Sequence, residues 1–250
     1  MLTTFMAVST KRLTAAVFAA RMRHIRDRLA RRMMPELDVF FVGQAARAVT
    51  RLTGEKAFLQ KQRPPGELLP PEEDALLWKT LAPFLEQAIL DSGALAASLV
   101  GGQGPTLADP RVLSQIAQAG TRIRRINEAT RQAVRDMLTV AHERGYNTYQ
   151  VARGVPAEGF RGLREVVEET YLNRSEAIAR TEMAEASLEA AHSEWKDAGV
   201  GELEIIDGGG ATSCEECDAR SGEIVSISEG VELLHPNCTV VTLPVLERVA

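Results

Sequence analysis

Aromatic residues make up 5% of this 250-residue chain, and cysteine occurs three times. The three cysteines all fall between positions 214 and 238, too few and too clustered for the framework of a secreted disulfide scaffold. A reducing compartment and a metal site suit them better. Long apolar runs are also missing. Nothing approaches the roughly 18–20 residues that a membrane span requires, and no membrane partner is expected. The chain has no Gly-rich phosphate loop after a strand, no G-x-S-x-G and no H-E-x-x-H, which takes away the common signatures of nucleotide, serine-hydrolase and zinc-protease chemistry. Internal repeats and low-complexity tracts are lacking too. His24 and His142 stand alone and read as ordinary helix residues.

What is present leans towards helix, with frequent alanine, leucine and arginine and 25% charged residues. The net charge of -5 is unevenly spread: +9 over residues 1–63, -2 over 64–150 and -12 over 151–250. The basic front can meet nucleic acid or an acidic protein surface, whereas the acidic back repels a phosphate backbone. These shifts and the Pro/Gly breaks divide the chain into a basic helical arm (1–63), a helical region (64–144) and a C-terminal α+β module (145–250). The expected fold class is therefore mainly α with a small α+β module at the end.

Residues 11–34 carry Phe18, Met22, Ile25, Leu29 and Met33 at helical period. Arg21, Arg23, Arg26, Arg28, Arg31 and Arg32 cover the rest of this helix. Of these, Arg21, Arg23, Arg28, Arg31 and Arg32 are candidates for contact with DNA or an acidic partner. The plainer reading is the solvated face of a packed helix. The Arg-rich opening, with Asp27 as its one acid, also resembles a presequence, though a reducing-compartment metal site argues against export. Pro35 is expected to end the helix, and a second stretch should run over 36–62 with interruptions near Gly43 and Gly54. A linker is expected around Arg63, Pro64, Pro65, Gly66, Pro70 and Pro71. Glu72, Glu73 and Asp74 then suit the first turn of a helix reaching about Leu90. After a break at 101–105, Asp109 and Pro110 open a helix of about 35 residues that Gly145 ends. Its apolar face is expected at Leu113, Ile116, Ile123, Ile126, Val134, Met137 and Ala141, with Arg122, Arg124, Arg125, Arg131 and Arg135 outside.

A short element over 148–154 and a helix over 158–171 should follow. Asn173 and Glu176 read as a capping box for the next helix, which places Ile178, Thr181, Leu188, Ala191 and Trp195 on one face and stops at Gly199. Strands are expected at 203–206, 223–227 and 239–243.

Between those strands lies the strongest motif. Cys214-x2-Cys217 is followed by His235-Pro236-Asn237-Cys238, with Gly208, Gly209, Gly210 and Pro236 supporting tight turns. Three thiolates and an imidazole at this spacing suit tetrahedral Zn²⁺, and four protein ligands fill its shell. The expectation is a structural metal site with no catalytic residue. A rival constellation is His192-x-Glu194 ahead of Cys214-x2-Cys217, the pattern of a zinc deaminase. In that pattern His192 would be the metal ligand and Glu194 the proton shuttle. Here it falls on a helix, with Ser213 where a proline is usual. An intracellular zinc-knuckle adaptor is a third reading.

The order Ala179-Arg180-Thr181-Glu182, Asp197-Ala198-Gly199-Val200, Cys214-x2-Cys217, Ser221-Gly222-Glu223-Ile224-Val225 and His235-Pro236-Asn237-Cys238 resembles the Mu F-like head-morphogenesis (minor head) proteins of tailed phages and prophages, over about residues 145–245. The resemblance implies a minor virion protein of the phage head, assembled in the host bacterial cytoplasm. It would associate with portal and capsid proteins and with packaged DNA, as part of a larger assembly. Many members carry a further cysteine two residues beyond the last motif cysteine, where this chain has Val240; that difference places weight on His235 as the fourth ligand. Arg180, Thr181 and Glu182 have two readings. One is helix-surface pairing, with Glu176 four residues before Arg180. The other is bracing of the knuckle turns.

Elemental analysis of the purified protein checks the motif directly. Stoichiometric zinc is expected, with loss of fold on chelation.

Overall fold

The computed structural model describes residues 15–54, 65–172, 174–206, 214–233 and 235–246. Helices α1 (Ala15–Thr53), α3 (Glu72–Val100), α4 (Pro110–Glu143) and α7 (Ser175–Asp197) form the body. The shorter α2 (Pro65–Leu68), α5 (Thr148–Arg153) and α6 (Leu163–Leu172) fill in around them. Strands β1 (Gly154–Val155) and β2 (Phe160–Arg161) make a small hairpin. The chain ends in a three-stranded antiparallel sheet ordered β4 (Ile224–Ser226), β3 (Glu202–Ile206), β5 (Val241–Pro244), with α8 (Glu215–Arg220) beside it. The fold is mainly α with a small C-terminal α+β module, as the pattern of periods implies. Among the described residues no helix is long and apolar enough to cross a membrane.

Two prolines that should break helices do not. Pro35 lies inside α1, so the boundary expected there is replaced by one longer helix; Pro83 lies inside α3, which runs past the expected end near Leu90 to Val100. Both rings sit on exposed faces, as do Arg31 and Lys79. The carbonyls four residues back, which lose their amide partners, can therefore turn to water. The interruption expected at Gly43 is likewise absent, while α1 does end beside Gly54. Residues 55–64, Asn173 and 207–213 lie outside the described residues. With them go the end of the second expected stretch, the capping-box asparagine, the three turn glycines, Ser213, and Arg63 and Pro64 of the linker. α7 opens at Ser175 behind Arg174. α6 begins at Leu163, because residues 156–158 form a 3-10 turn and 160–161 a strand.

The break after α3 and the cap of α4 follow expectation. Gly101 adopts φ +78 and closes α3, and Asp109 Oδ1 accepts from the Arg111 backbone N–H ahead of Pro110. Of the expected apolar face of α4, Ile123, Val134, Met137 and Ala141 are buried, Ile116 and Ile126 are half-buried against the core, and Leu113 lies outside. Leu113 is 54% exposed, and the inward positions are Val112, Gln115, Ala119, Ile123, Asn127, Thr130, Val134, Met137 and Ala141. Polar residues occupy a third of that stripe, and counting apolar residues misses them. Arg122 and Arg131 also turn inward. Arg131 donates to the Leu69 carbonyl at 2.9 Å and pairs with Asp74 at 2.7 Å.

One main core runs from Leu29 to Ala190 and is shared by α1, α3, α4, α6 and α7. The described part of the basic segment is thus a packed helix. α7 is buried on most of its circumference, well beyond the single face expected, with Ala179, Met183, Ala186, Ser187 and Ala190 inside. Small residues let it lie close to α3, where Ser92 Oγ donates to Ser187 Oγ at 3.0 Å. A second core joins the start of α1 (Phe18, Met22), Trp195 of α7 and the sheet (Leu203, Val241, Leu243). Trp195 is fully buried, and its indole N–H donates to the Ala96 carbonyl at 3.1 Å.

Glu73 shows why the first-turn acids of α3 matter beyond the helix dipole. It is fully buried and meets Arg47 at 2.7 Å and Arg51 at 2.7 Å, both on α1. Burial pushes its carboxyl up, but the two arginines more than reverse this and hold it below the ordinary range. Glu73→Gln leaves both guanidinium groups without their carboxylate at the core edge. A loss of about 2–4 kcal/mol is expected in urea unfolding.

Candidate metal centre

The knuckle is built from two turns presented by the sheet. Cys214 occupies the N-cap of α8, where its Sγ accepts from the Cys217 backbone N–H at 3.4 Å. Gly222 N–H donates to the Ile205 carbonyl, and Ile205 N–H to the Glu223 carbonyl, both at 2.8 Å, so β3 holds the chain leaving α8. The second turn closes with Cys238 N–H donating to the His235 carbonyl at 3.2 Å. Asn237 sits in it at φ +64, a left-handed conformation that asparagine tolerates better than most residues.

These turns bring Cys214, Cys217 and His235 together, with their ligand atoms all within 4.8 Å of one another. His235 Nε2 lies 2.9 Å from Cys214 Sγ and 3.3 Å from Cys217 Sγ. Cys238 adjoins through Cys217, at 3.5 Å between sulfurs. In a tetrahedral zinc site with bonds of about 2.3 Å to sulfur and 2.0 Å to nitrogen, neighbouring ligand atoms are about 3.5–3.8 Å apart. Two of the three distances fall at or just below that range, and the Cys214–His235 distance is a hydrogen-bond length. The group is therefore placed to hold a metal ion.

The tautomer of His235 follows from its other nitrogen. Nδ1 lies 2.8 Å from the Pro236 carbonyl, which can only accept, so Nδ1 carries the proton and Nε2 presents its lone pair to the sulfurs. That same carbonyl bond raises the imidazole above its ordinary range, with Cys214 adding to the effect. The Cys217 N–H holds the Cys214 thiol below its usual value. Burial pushes Cys217 up to about 12, so a metal must displace its proton. Val240, standing where a further cysteine occurs in the resembled family, is buried among Ile205, Cys217 and Cys238 and contributes packing instead.

Of the Arg-Thr-Glu triplet, the residue that reaches the knuckle is Thr181. Its Oγ1 accepts from the Asn237 backbone N–H at 3.2 Å. Arg180 pairs with Glu176 at 2.8 Å, as the helix spacing implied, and with Asp27 of α1 at 3.0 Å. Glu182 faces α4 and meets Arg122 at 3.5 Å. Burial outweighs Arg122 and raises the Glu182 carboxyl to about 7.

The rival histidine lies apart from the cysteines. His192 Nε2 is 2.9 Å from Thr242 Oγ1, and burial, helped by the charge of Arg26, lowers its imidazole to about 4. Glu194 pairs with Arg111 at 3.2 Å. Of the basic candidates, Arg21, Arg28, Arg31 and Arg32 are exposed on α1 and Arg23 is half-buried. Arg28 pairs with Asp91, Arg31 donates to the Asp27 carbonyl at 3.3 Å, and Arg32 lies 5.9 Å from the Phe84 ring centre.

Arg26, one of the arginines expected on the outside of its helix, belongs to the site instead. It is 6% exposed, and its Nη1 donates to the Val240 carbonyl at 2.7 Å. Burial lowers it to about 10, partly offset by the Cys238 sulfur. The signal was available: Met22, Arg26, Leu29 and Met33 step by four, three and four, which puts position 26 on the inner face. Comparison of the chain with protein-family models, with curated proteins and with solved structures gives no match.

Two expectations follow. Thr181→Val removes the acceptor for Asn237 N–H, so metal affinity should fall and stability drop by about 1 kcal/mol in calorimetry. Glu182 has a folded value above its ordinary one, so its contribution is full below about pH 4.5 and is lost as pH rises through about 7. Glu182→Gln should therefore gain about 2–3 kcal/mol relative to the native chain between about pH 5 and pH 8.

Proposed function

We propose that this chain is a minor head-morphogenesis protein of a tailed phage or prophage, with a non-enzymatic C-terminal module closed by structural zinc. The reading is carried by one contact. Thr181 of the Arg-Thr-Glu helix bonds to Asn237 of the His-Pro-Asn-Cys turn, so the two motifs on which the family resemblance rests meet at a single site. Sequence distance gave no reason for a helix and a turn 56 residues apart to touch.

Zinc is the metal this donor set favours. Thiolates and a neutral imidazole are its usual structural ligands. Cys214, Cys217 and His235 would hold it, and Cys238 is the nearest further sulfur. When bound, the ion supplies cross-linking between the two turns, and its binding energy is folding energy. The surrounding residues orient His235 through Pro236 and fix the second turn through Thr181.

In this reading the chain accompanies portal and capsid proteins in the head. The exposed Arg21, Arg28, Arg31 and Arg32 offer a surface to packaged DNA or an acidic partner. The deaminase reading is less well supported, because the cysteines meet His235 while His192 is held at Thr242. A zinc-knuckle adaptor outside phage heads would share the same module and differ in location. Mass spectrometry of heads purified from induced host cells separates these. The chain is expected in heads at a few per cent of the shell protein or less, and heads free of it, assembled normally, would contradict the proposal.

A further inference from the structure

α1, α7 and the second knuckle turn enclose a cavity of about 170 Å³, lined by Arg23, Arg26, Asp27, Arg180, Asn237 and Thr239 among others. Three guanidinium groups from two helices converge on it. Arg26 spends Nη1 on the neutral Val240 carbonyl, and its Nε and Nη2 are buried without an acceptor. Arg23 Nη1 is buried and unpartnered as well. Arg180 alone of the three is matched, by Asp27 and Glu176.

A buried donor without an acceptor is costly, and more so when it is charged. The acids nearby do not discharge this cost. Asp27 bonds to Arg180, and both Asp27 and Glu185 act on Arg26 electrostatically without a hydrogen bond to it. Cys238 adjoins Arg26 electrostatically and lines the same cavity. The volume exceeds what one water needs, and the orphan donors around it are all guanidinium groups.

We propose that this cavity is a binding site for a tetrahedral oxyanion of the phosphate class, held by Arg23 and Arg26 from α1 with Arg180 at the side. Guanidinium N–H groups match phosphate oxygens in geometry and charge. Arg26 keeps its charge at neutral pH, since its lowered value of about 10 is still well above it. The site is independent of the head-protein reading. It places an anion between the knuckle and α1, where it would tie the acidic module to the basic helix.

The test is equilibrium dialysis of the full chain, as purified, against radiolabelled inorganic phosphate, with ionic strength held constant by sodium chloride. Saturable binding of one phosphate per chain is expected. Arg23→Gln should weaken it about tenfold or more, and Arg124→Gln, an exposed change on α4, should leave it unchanged. Circular dichroism establishes that Arg23→Gln folds; if it does not, Arg180→Gln repeats the test from α7. Non-saturable uptake by the native chain, or equal weakening by Arg23→Gln and Arg124→Gln, overturns the proposal and leaves water as the occupant.

Discussion

Among the described residues, the sheet module buries four side chains as a core of its own: Ile205, Cys217, Cys238 and Val240. Two of the four are cysteines of the knuckle. So small a core cannot offset the entropy of ordering three strands and two turns, and small modules of this kind rely on a metal or another staple. The shortage of apolar residues is the constraint from which the rest of the design follows. Under the proposed metal reading, sulfur and imidazole would do through an ion what leucine and valine do in the helical body. The neighbouring helices must supply the remaining support.

They supply it in two ways. Phe18 and Met22 of α1 and Trp195 of α7 press into the inner face of the sheet, against Leu203, Val241 and Leu243. Polar contacts then fix the knuckle itself: Arg26 on the carbonyl of Val240, and Thr181 on the amide of Asn237. The charge of Arg26 is kept in a desolvated place beside Cys238. α7 is therefore both the central helix of the body and the support of the knuckle. Movement of that helix would be felt at the metal ligands.

Much of this was legible from residue spacing. Helical period placed most of the helices, β-branched runs placed the three strands, and paired spacers grouped Cys214, Cys217 and His235. What spacing did not reveal was polar burial. Gln115, Asn127 and Thr130 occupy the inner stripe of α4, and Leu113 is left outside. Glu73 reads locally as a first-turn acid and Arg26 as part of a basic helix surface, yet each is buried with partners more than 20 residues away in sequence. Pro35, expected to end the first helix, is accommodated inside α1 because the carbonyl it frees lies on an exposed face and can turn to water. For the buried polar groups the deciding partner comes from another element, which local pattern cannot supply. Thr181 is the clearest example, since nothing about its helix says which of three consecutive polar residues faces the turn.

The central claim is that the metal holds the C-terminal module together while the helical body stands on its own core. Hydrogen exchange followed by mass spectrometry, with and without chelator, tests it most directly. Loss of protection in β3, β5 and the two knuckle turns, with protection kept in α3, α4 and the middle of α7, is the predicted result. Unchanged protection of the sheet and turns after complete removal of metal would contradict it.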